Sequence, residues 1–204
     1  WAQAARLALV IGNDAYLHLR TLKKAGGDAT TMASELGAAG FSVVNEQRYQ
    51  RNLDRRGMYG QLEVLKTRIR PGDEVVVFFS GHGVQVGASS YLLPVDFPYP
   101  ANEQTFLDEA IALQRFMDDV KAAGARFSLF IIDACRENPL PPRAGTKSIG
   151  LSRGLNLTQE PAEGQMVLFA AGKDQTALDR LSENDPDPNG VFTRVLVKHL
   201  RRTD

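Results

Sequence analysis

The chain has 204 residues, with 24 basic and 24 acidic side chains and a formal net charge of zero, so no broad field steers it toward nucleic acid or an anionic membrane. Hydrophobic residues make up 43% of it, too many for a disordered chain and enough for the core of one domain. A single cysteine, Cys135, excludes an internal disulfide framework and a zinc site of several thiolates, and no apolar run nears the roughly 20 residues of a membrane span.

The first residue is Trp1, and Ala2-Gln3-Ala4 has the small-x-small form of a signal-peptidase site. Export to a periplasm and a plain cut in a longer cytoplasmic chain are both open, so location stays undecided. Residues 7–11 then form a short apolar run, stopped by the turn cluster Gly12-Asn13-Asp14. The spacing of Ala29, Met32, Ala33 and Leu36 predicts a helix over 28–36, closed by Gly37 and Gly40. A short strand is expected at 41–44 and a helix at 53–69, with Leu62, Leu65 and Ile69 on one side and Pro71-Gly72-Asp73 as its stop.

Residues 75–79, Val-Val-Val-Phe-Phe, are apolar on both faces, as a central strand of a parallel sheet is. A shorter strand is expected at 91–95, a helix at 111–122 and a fully buried strand at 127–132. The Pro/Arg/Gly/Ser-rich segment 137–163 shows no periodicity. The last strand is expected at 166–170 and the last helix at 192–200, where Lys198, Arg201 and Arg202 suit a helix carboxyl end. Arg201-Arg202-Thr203-Asp204 follows this helix directly and reads as cut. Such alternation predicts one α/β domain over 1–204, with a mostly parallel central sheet flanked by helices on both faces.

Open α/β sheets carry their sites at the carboxyl ends of the strands. Here the 75–79 strand runs into Ser80-Gly81-His82-Gly83, and the 127–132 strand into Asp133-Ala134-Cys135-Arg136. If the two are parallel neighbours, a thiol and an imidazole reach one edge, as nucleophilic cysteine catalysis requires. The glycines beside His82 allow close approach of a substrate, and the Gly83 N–H can face a developing oxyanion. Taken singly, Cys135 also reads as a small buried hydrophobe and His82 as a polar residue satisfied in a loop.

Together these segments resemble the caspase-like cysteine peptidases. His82 and Cys135 stand 53 residues apart, against roughly 50 in that family. Residues 7–13 resemble its first strand, Gly26-Gly27-Asp28-Ala29 its first loop, and Asn189-Gly190-Val191-Phe192-Thr193 the start of its last helix. Asp133 stands where true caspases carry Gln. With Asp28 it resembles the bacterial metacaspase and paracaspase (orthocaspase) branch, in which matching acids line a pocket for Arg or Lys. Asp179 falls where paracaspases place a third acid.

The resemblance implies a caspase-like fold with a large-subunit-like part at 1–136, a linker or groove loop at 137–163 and a small-subunit-like part at 164–204 that is cut short. It implies a cysteine endopeptidase that cleaves after Arg or Lys, with Cys135 as nucleophile, His82 as base, Gly83 as oxyanion donor, and Asp28, Asp133 and Asp179 binding the substrate cation. A guanidinium fork satisfies paired carboxylates through charge-assisted hydrogen bonds, whereas an aspartate substrate meets like charge. Asp28 as a cap of a helix starting at Ala29, and Asp133 as a strand end, are compatible with these roles. Self-cleavage at Arg143, Lys147 or Arg153 is implied for the 137–163 loop, beside the alternative of an uncut loop that shapes the groove.

The expected partner is a protein or peptide with Arg or Lys before the scissile bond. A homodimer is left open, and no nucleic-acid partner is expected. No cofactor or metal is expected either: the oxygen-rich stretch 182–190 could hold calcium, which activates many metacaspases, but it lacks EF-hand spacing and reads as a Pro-rich surface turn, and the paracaspase resemblance implies no calcium requirement. The stretch 81–87 misses the spacing of a glycine-rich phosphate loop. His18 and His199 read as surface residues. The competing classes are a catalytically silent caspase-like interaction domain and a flavodoxin-like binding domain in which Cys135 is incidental.

Overall fold

The three strongest apolar stretches fold as the inner strands β1 (Arg6–Gly12), β3 (Glu74–Val86) and β6 (Phe127–Cys135) of the computed structural model. The structure describes residues 4–45, 50–86, 89–135, 151–152, 161–170, 182 and 184–201, with backbone alone at 135, 151 and 152. Both β1 and β6 pair in parallel with β3. Strand β2 (Ser42–Val43) adds outside β1, and β8 (Gln165–Phe169) outside β6, which gives the parallel order β2-β1-β3-β6-β8.

Period-two alternation divides the inner strands between two helical layers. Ala8, Val10, Val76, Phe78 and Ile131 pack with Met32 and Leu36 of α1 (Ala25–Ala38) and Val197 of α5 (Val191–Leu200). On the opposite face Leu9, Ile11, Val75, Val77, Phe79 and Ile132 pack with Met58, Leu62 and Leu65 of α2 (Arg55–Arg68) and Phe116 and Val120 of α4 (Leu113–Ala122). The expected α/β architecture, helices on both faces, is the one observed. No helix among the described residues is long and apolar enough to cross a membrane.

The largest correction concerns β3, which does not stop at Phe79. It continues to Val86 by exchanging partners, pairing antiparallel with β4 (Ser89–Leu92) and β7 (Leu151–Ser152), while β4 pairs with β5 (Ile111–Ala112). Gly81, Gly83 and Gln85 weaken the local strand signal, and the antiparallel partners supply what propensity lacks. The stretch 81–87 is therefore strand through Val86 and not a phosphate loop. Under this extension Tyr16, Leu22, Val84, Leu93, Val95, Phe97 and Phe106 form a second, smaller core. It includes a helix the periodicity does not reveal, α3 (Glu103–Glu109), whose cap Asn102 accepts from the Thr105 N–H at 2.8 Å.

Smaller shifts have local causes. The strand expected at 91–95 lies at 89–92, and the helix expected from 111 begins at Leu113 because Ile111 and Ala112 pair with Leu92 and Tyr91. β6 extends to Cys135, three residues past the expected end. Helix α1 begins at Ala25 rather than near Asp28, because the Asp14 carboxylate accepts from the Ala25 and Gly26 N–H groups at 2.9 and 2.6 Å. Asp28 is therefore not the cap of this helix; it lies within the first turn, where an anion is favoured.

Candidate active site

The site forms where β3 changes partners. The parallel register with β6 ends in Ser80↔Asp133, Gly81↔Ala134 and His82↔Cys135. His82 and Cys135 are thus register partners on adjacent strands, about 4.8 Å apart in the hydrogen-bonding direction. The two strands that carry them are the parallel neighbours the sequence required.

Ser80 and His82 continue the row of Val76 and Phe78 that faces α1 and α5. His82 is only 1% exposed. Its Nε2 lies 2.7 Å from the Arg20 carbonyl oxygen. A carbonyl only accepts, so Nε2 carries the proton and Nδ1 is the basic nitrogen of the neutral ring. Tyr16 fixes the residue from a second direction: the rings tilt at 55° with centroids 4.5 Å apart, and the Tyr16 hydroxyl accepts from the His82 N–H at 2.7 Å while donating to the Leu93 carbonyl at 3.1 Å. The group that orients the imidazole is a main-chain carbonyl, for which no sequence motif exists.

Gly81 serves this arrangement sterically. A Cβ there would stand 2.7 Å from both Phe79 Cζ and the Tyr16 hydroxyl. Gly81→Ala is expected to destabilise the fold by about 1–3 kcal/mol, in the range of overpacked cores. It should also displace Tyr16 from His82. Thermal denaturation of the variant checks the cost, and an unchanged midpoint would contradict the packing.

The direction of the Gly83 N–H follows from its neighbours. The Ser80 carbonyl accepts from Asn13 on the β1 side, and the His82 N–H and C=O go to the Tyr16 hydroxyl and the Leu93 N–H. Backbone groups alternate along a strand, so the Gly83 N–H faces the other edge, the one along which β6 runs up to Cys135.

Two of the three acids predicted from sequence, Asp28 and Asp133, lie on this same face. Asp28 is 2% exposed; its carboxylate accepts from the Ser80 hydroxyl at 3.0 Å and from the Gly190 N–H at 2.8 Å. Asp133, beside Ser80 in register, accepts from the buried Thr193 hydroxyl at 2.9 Å. Gly190 is the N-cap of α5 and Thr193 lies in its first turn, so the positive end of that helix dipole supports both carboxylates. Ser80, Thr193 and Gly190 are partners that sequence reasoning did not assign; for Ser80 the register two residues before His82 was the available signal.

Asp179, Arg143, Lys147 and Arg153 lie outside the described residues. His18 and His199 are exposed. In the oxygen-rich stretch, Asp185 and Asp187 are engaged by Arg194, through contacts of 2.7 and 3.6 Å. Among the described residues no cluster of three or more His, Cys, Asp or Glu is placed to hold a metal ion.

An α/β sheet whose switch of strand partners sets an oriented imidazole beside the backbone of a cysteine has the strand layout that nucleophilic cysteine chemistry requires. The family profile of the caspase domain, peptidase C14, matches residues 5–204, and the chain belongs to that family of cysteine peptidases. No curated protein sequence matches it significantly. Among solved structures, the crystal structure of a Geobacter sulfurreducens protein is similar with a TM-score of 0.49 and 19% identity over 64% of this chain. The match spans 50% of that protein's length.

Proposed function

We propose that the domain is an active cysteine endopeptidase of the metacaspase and paracaspase branch, cleaving after Arg or Lys with Cys135 and His82 as a dyad. The observation that carries this reading is the His82↔Cys135 register together with the tautomer set by Arg20. In the reaction, the Cys135 sulfur attacks the scissile carbonyl carbon and its proton passes to His82 Nδ1. On the family resemblance, the oxyanion is assigned to the Gly83 and Cys135 N–H groups, which must leave the β3–β6 ladder to receive it. His82 returns the proton to the departing amine as the C–N bond breaks, leaving a thioester. Water, giving a proton to His82, then splits the thioester and regenerates the thiol.

Asp28 and Asp133 recognise the substrate cation. Ser80 and Gly190 donate to Asp28, and Thr193 donates to Asp133, which fixes both carboxylates on the face of His82. A guanidinium or ammonium of the substrate is the group they bind, and Asp179 is assigned to the same pocket on the family resemblance. Self-processing in the 137–163 segment belongs to this reading. Its support is that Leu151 and Ser152 pair with Val86 and Gln85, a few residues beyond His82 on the same strand, and Arg153 follows them directly in sequence.

The test is hydrolysis of matched fluorogenic peptides ending in Arg, Lys or Asp. Turnover of the Arg and Lys peptides and not of the Asp peptide is expected. Cleavage after Asp would overturn the pocket while keeping the nucleophile. No turnover of any peptide, with or without calcium, would favour a silent interaction domain.

A further inference from the structure

Lys24 breaks a local rule. It occupies the N-cap of α1, where acceptor side chains and negative charge are favoured, and it gives the helix no side-chain cap. Its side chain is instead buried to 9% exposure. The ammonium donates to the main-chain carbonyls of Asp185, at 3.0 Å, and of Asp187, with the Asp185 carboxylate 4.0 Å away. Ordering and desolvating a lysine is costly, and the helix it caps gains nothing from it. What the lysine serves is the segment it pins.

That segment leads straight to the two acids. The Asp187 N–H donates to the Asp185 carboxylate at 3.1 Å and the Asn189 N–H to the Asp187 carboxylate at 2.9 Å. The Asn189 amide exchanges hydrogen bonds with the Thr31 hydroxyl of α1. The Pro188 carbonyl oxygen lies 2.2 Å from where a Cβ on Gly27 would be, so the loop and α1 meet backbone to backbone. The next residues supply the Gly190 N–H to Asp28 and the Thr193 hydroxyl to Asp133.

Arg194 stands in the same helical turn. It donates to the Asp185 carboxylate at 2.7 Å and to the Asn189 carbonyl at 2.8 Å. Its pKa is raised above the ordinary value, first by the Asp185 hydrogen bond, with the charges of Asp187, Asp185 and Asp28 adding to it.

We propose that Lys24 and Asp185 are specificity-positioning residues: Lys24 gathers the carbonyls of the 185–190 loop and Asp185 ties that loop to Arg194 of α5, so that Gly190 and Thr193 hold the two acids where a substrate cation is accepted. The inference rests on the Arg/Lys reading above. With Asp185 neutral, the ion pair that ties the loop to Arg194 of α5 is lost. With Lys24 neutral, the loop loses the donor that gathers its carbonyls, and the Gly190 and Thr193 donors lose their fixed place.

The experiment compares Lys24→Met, Lys24→Arg and Asp185→Asn with wild type on peptides ending in Arg or in its neutral isostere citrulline, alongside local amide hydrogen exchange over 184–194. For Lys24→Met and Asp185→Asn, KM for the Arg peptide is expected to rise about tenfold, as for a lost hydrogen bond to a charged group, with kcat changed less than about threefold. The citrulline peptide should be unaffected, Lys24→Arg should restore KM, and Lys24→Met should exchange its Gly190–Thr193 amides faster. Equal losses on both peptides would reduce the residues to structural supports and overturn the proposal. Unchanged KM in the folded variants would overturn it too. Unchanged exchange in Lys24→Met would overturn the fastening by Lys24 whatever the peptidase assays show. A wild type that cleaves neither peptide would remove the Arg/Lys reading and the specificity role with it, while accelerated exchange in Lys24→Met would still support the fastening.

Discussion

Cys135→Ala is expected to abolish peptide hydrolysis, with kcat lower by on the order of 10⁴-fold or more, because a nucleophile and its base act as one unit. His82→Ala should fall to a comparable floor, and the double variant little further, since neither residue works without the other. The two single variants separate different failures. His82 is buried and engaged by Tyr16 and Arg20, so His82→Ala should also lower the thermal midpoint. The same pair of samples decides self-processing. Mass spectrometry of purified wild type should show cuts after basic residues of the 137–163 segment that Cys135→Ala lacks. A single intact species in active wild type would leave that segment an uncut loop. Residual hydrolysis in Cys135→Ala near the wild-type rate would overturn the dyad itself.

The inner strands were legible because a strand buried on both faces must be apolar at every position, and 75–79 and 127–132 have no competing pattern. Their ends were not, because a strand that exchanges a parallel partner for an antiparallel one shows no change in its own period. Residues 80–86 carry no strand signal of their own for that reason, although the 75–79 and 127–132 strands are the parallel neighbours that bring His82 and Cys135 into register. Asp28 and Asp133 stood out only through resemblance to a family. What holds them comes from far along the chain: Gly190 is 162 residues from Asp28 and Thr193 60 from Asp133. The Arg20 carbonyl left no trace at all, since every residue has one. Lys24 did leave a trace, a cation at a helix amino terminus, but that signal appears only once the true start of α1 is known.

Asp28→Asn is expected to raise KM for Arg and Lys peptides by about 10- to 100-fold, the scale of a charge-assisted hydrogen bond of roughly 1.5–3 kcal/mol. The amide keeps the shape of the carboxylate and can still accept from Gly190, so the fold should survive while the charge is lost. Turnover of a citrulline peptide is the internal control, because a neutral side chain never drew on that charge. Asp133→Asn should act in the same direction, its oxygen still able to accept from Thr193. If one guanidinium bridges both carboxylates, the double variant should lose less than the two single losses combined, as for residues that share a partner. Full additivity would mean that the acids act on separate groups. A loss of citrulline cleavage equal to the loss of Arg cleavage would make Asp28 a support for Ser80 and α5, and the preference for basic residues would then need another origin.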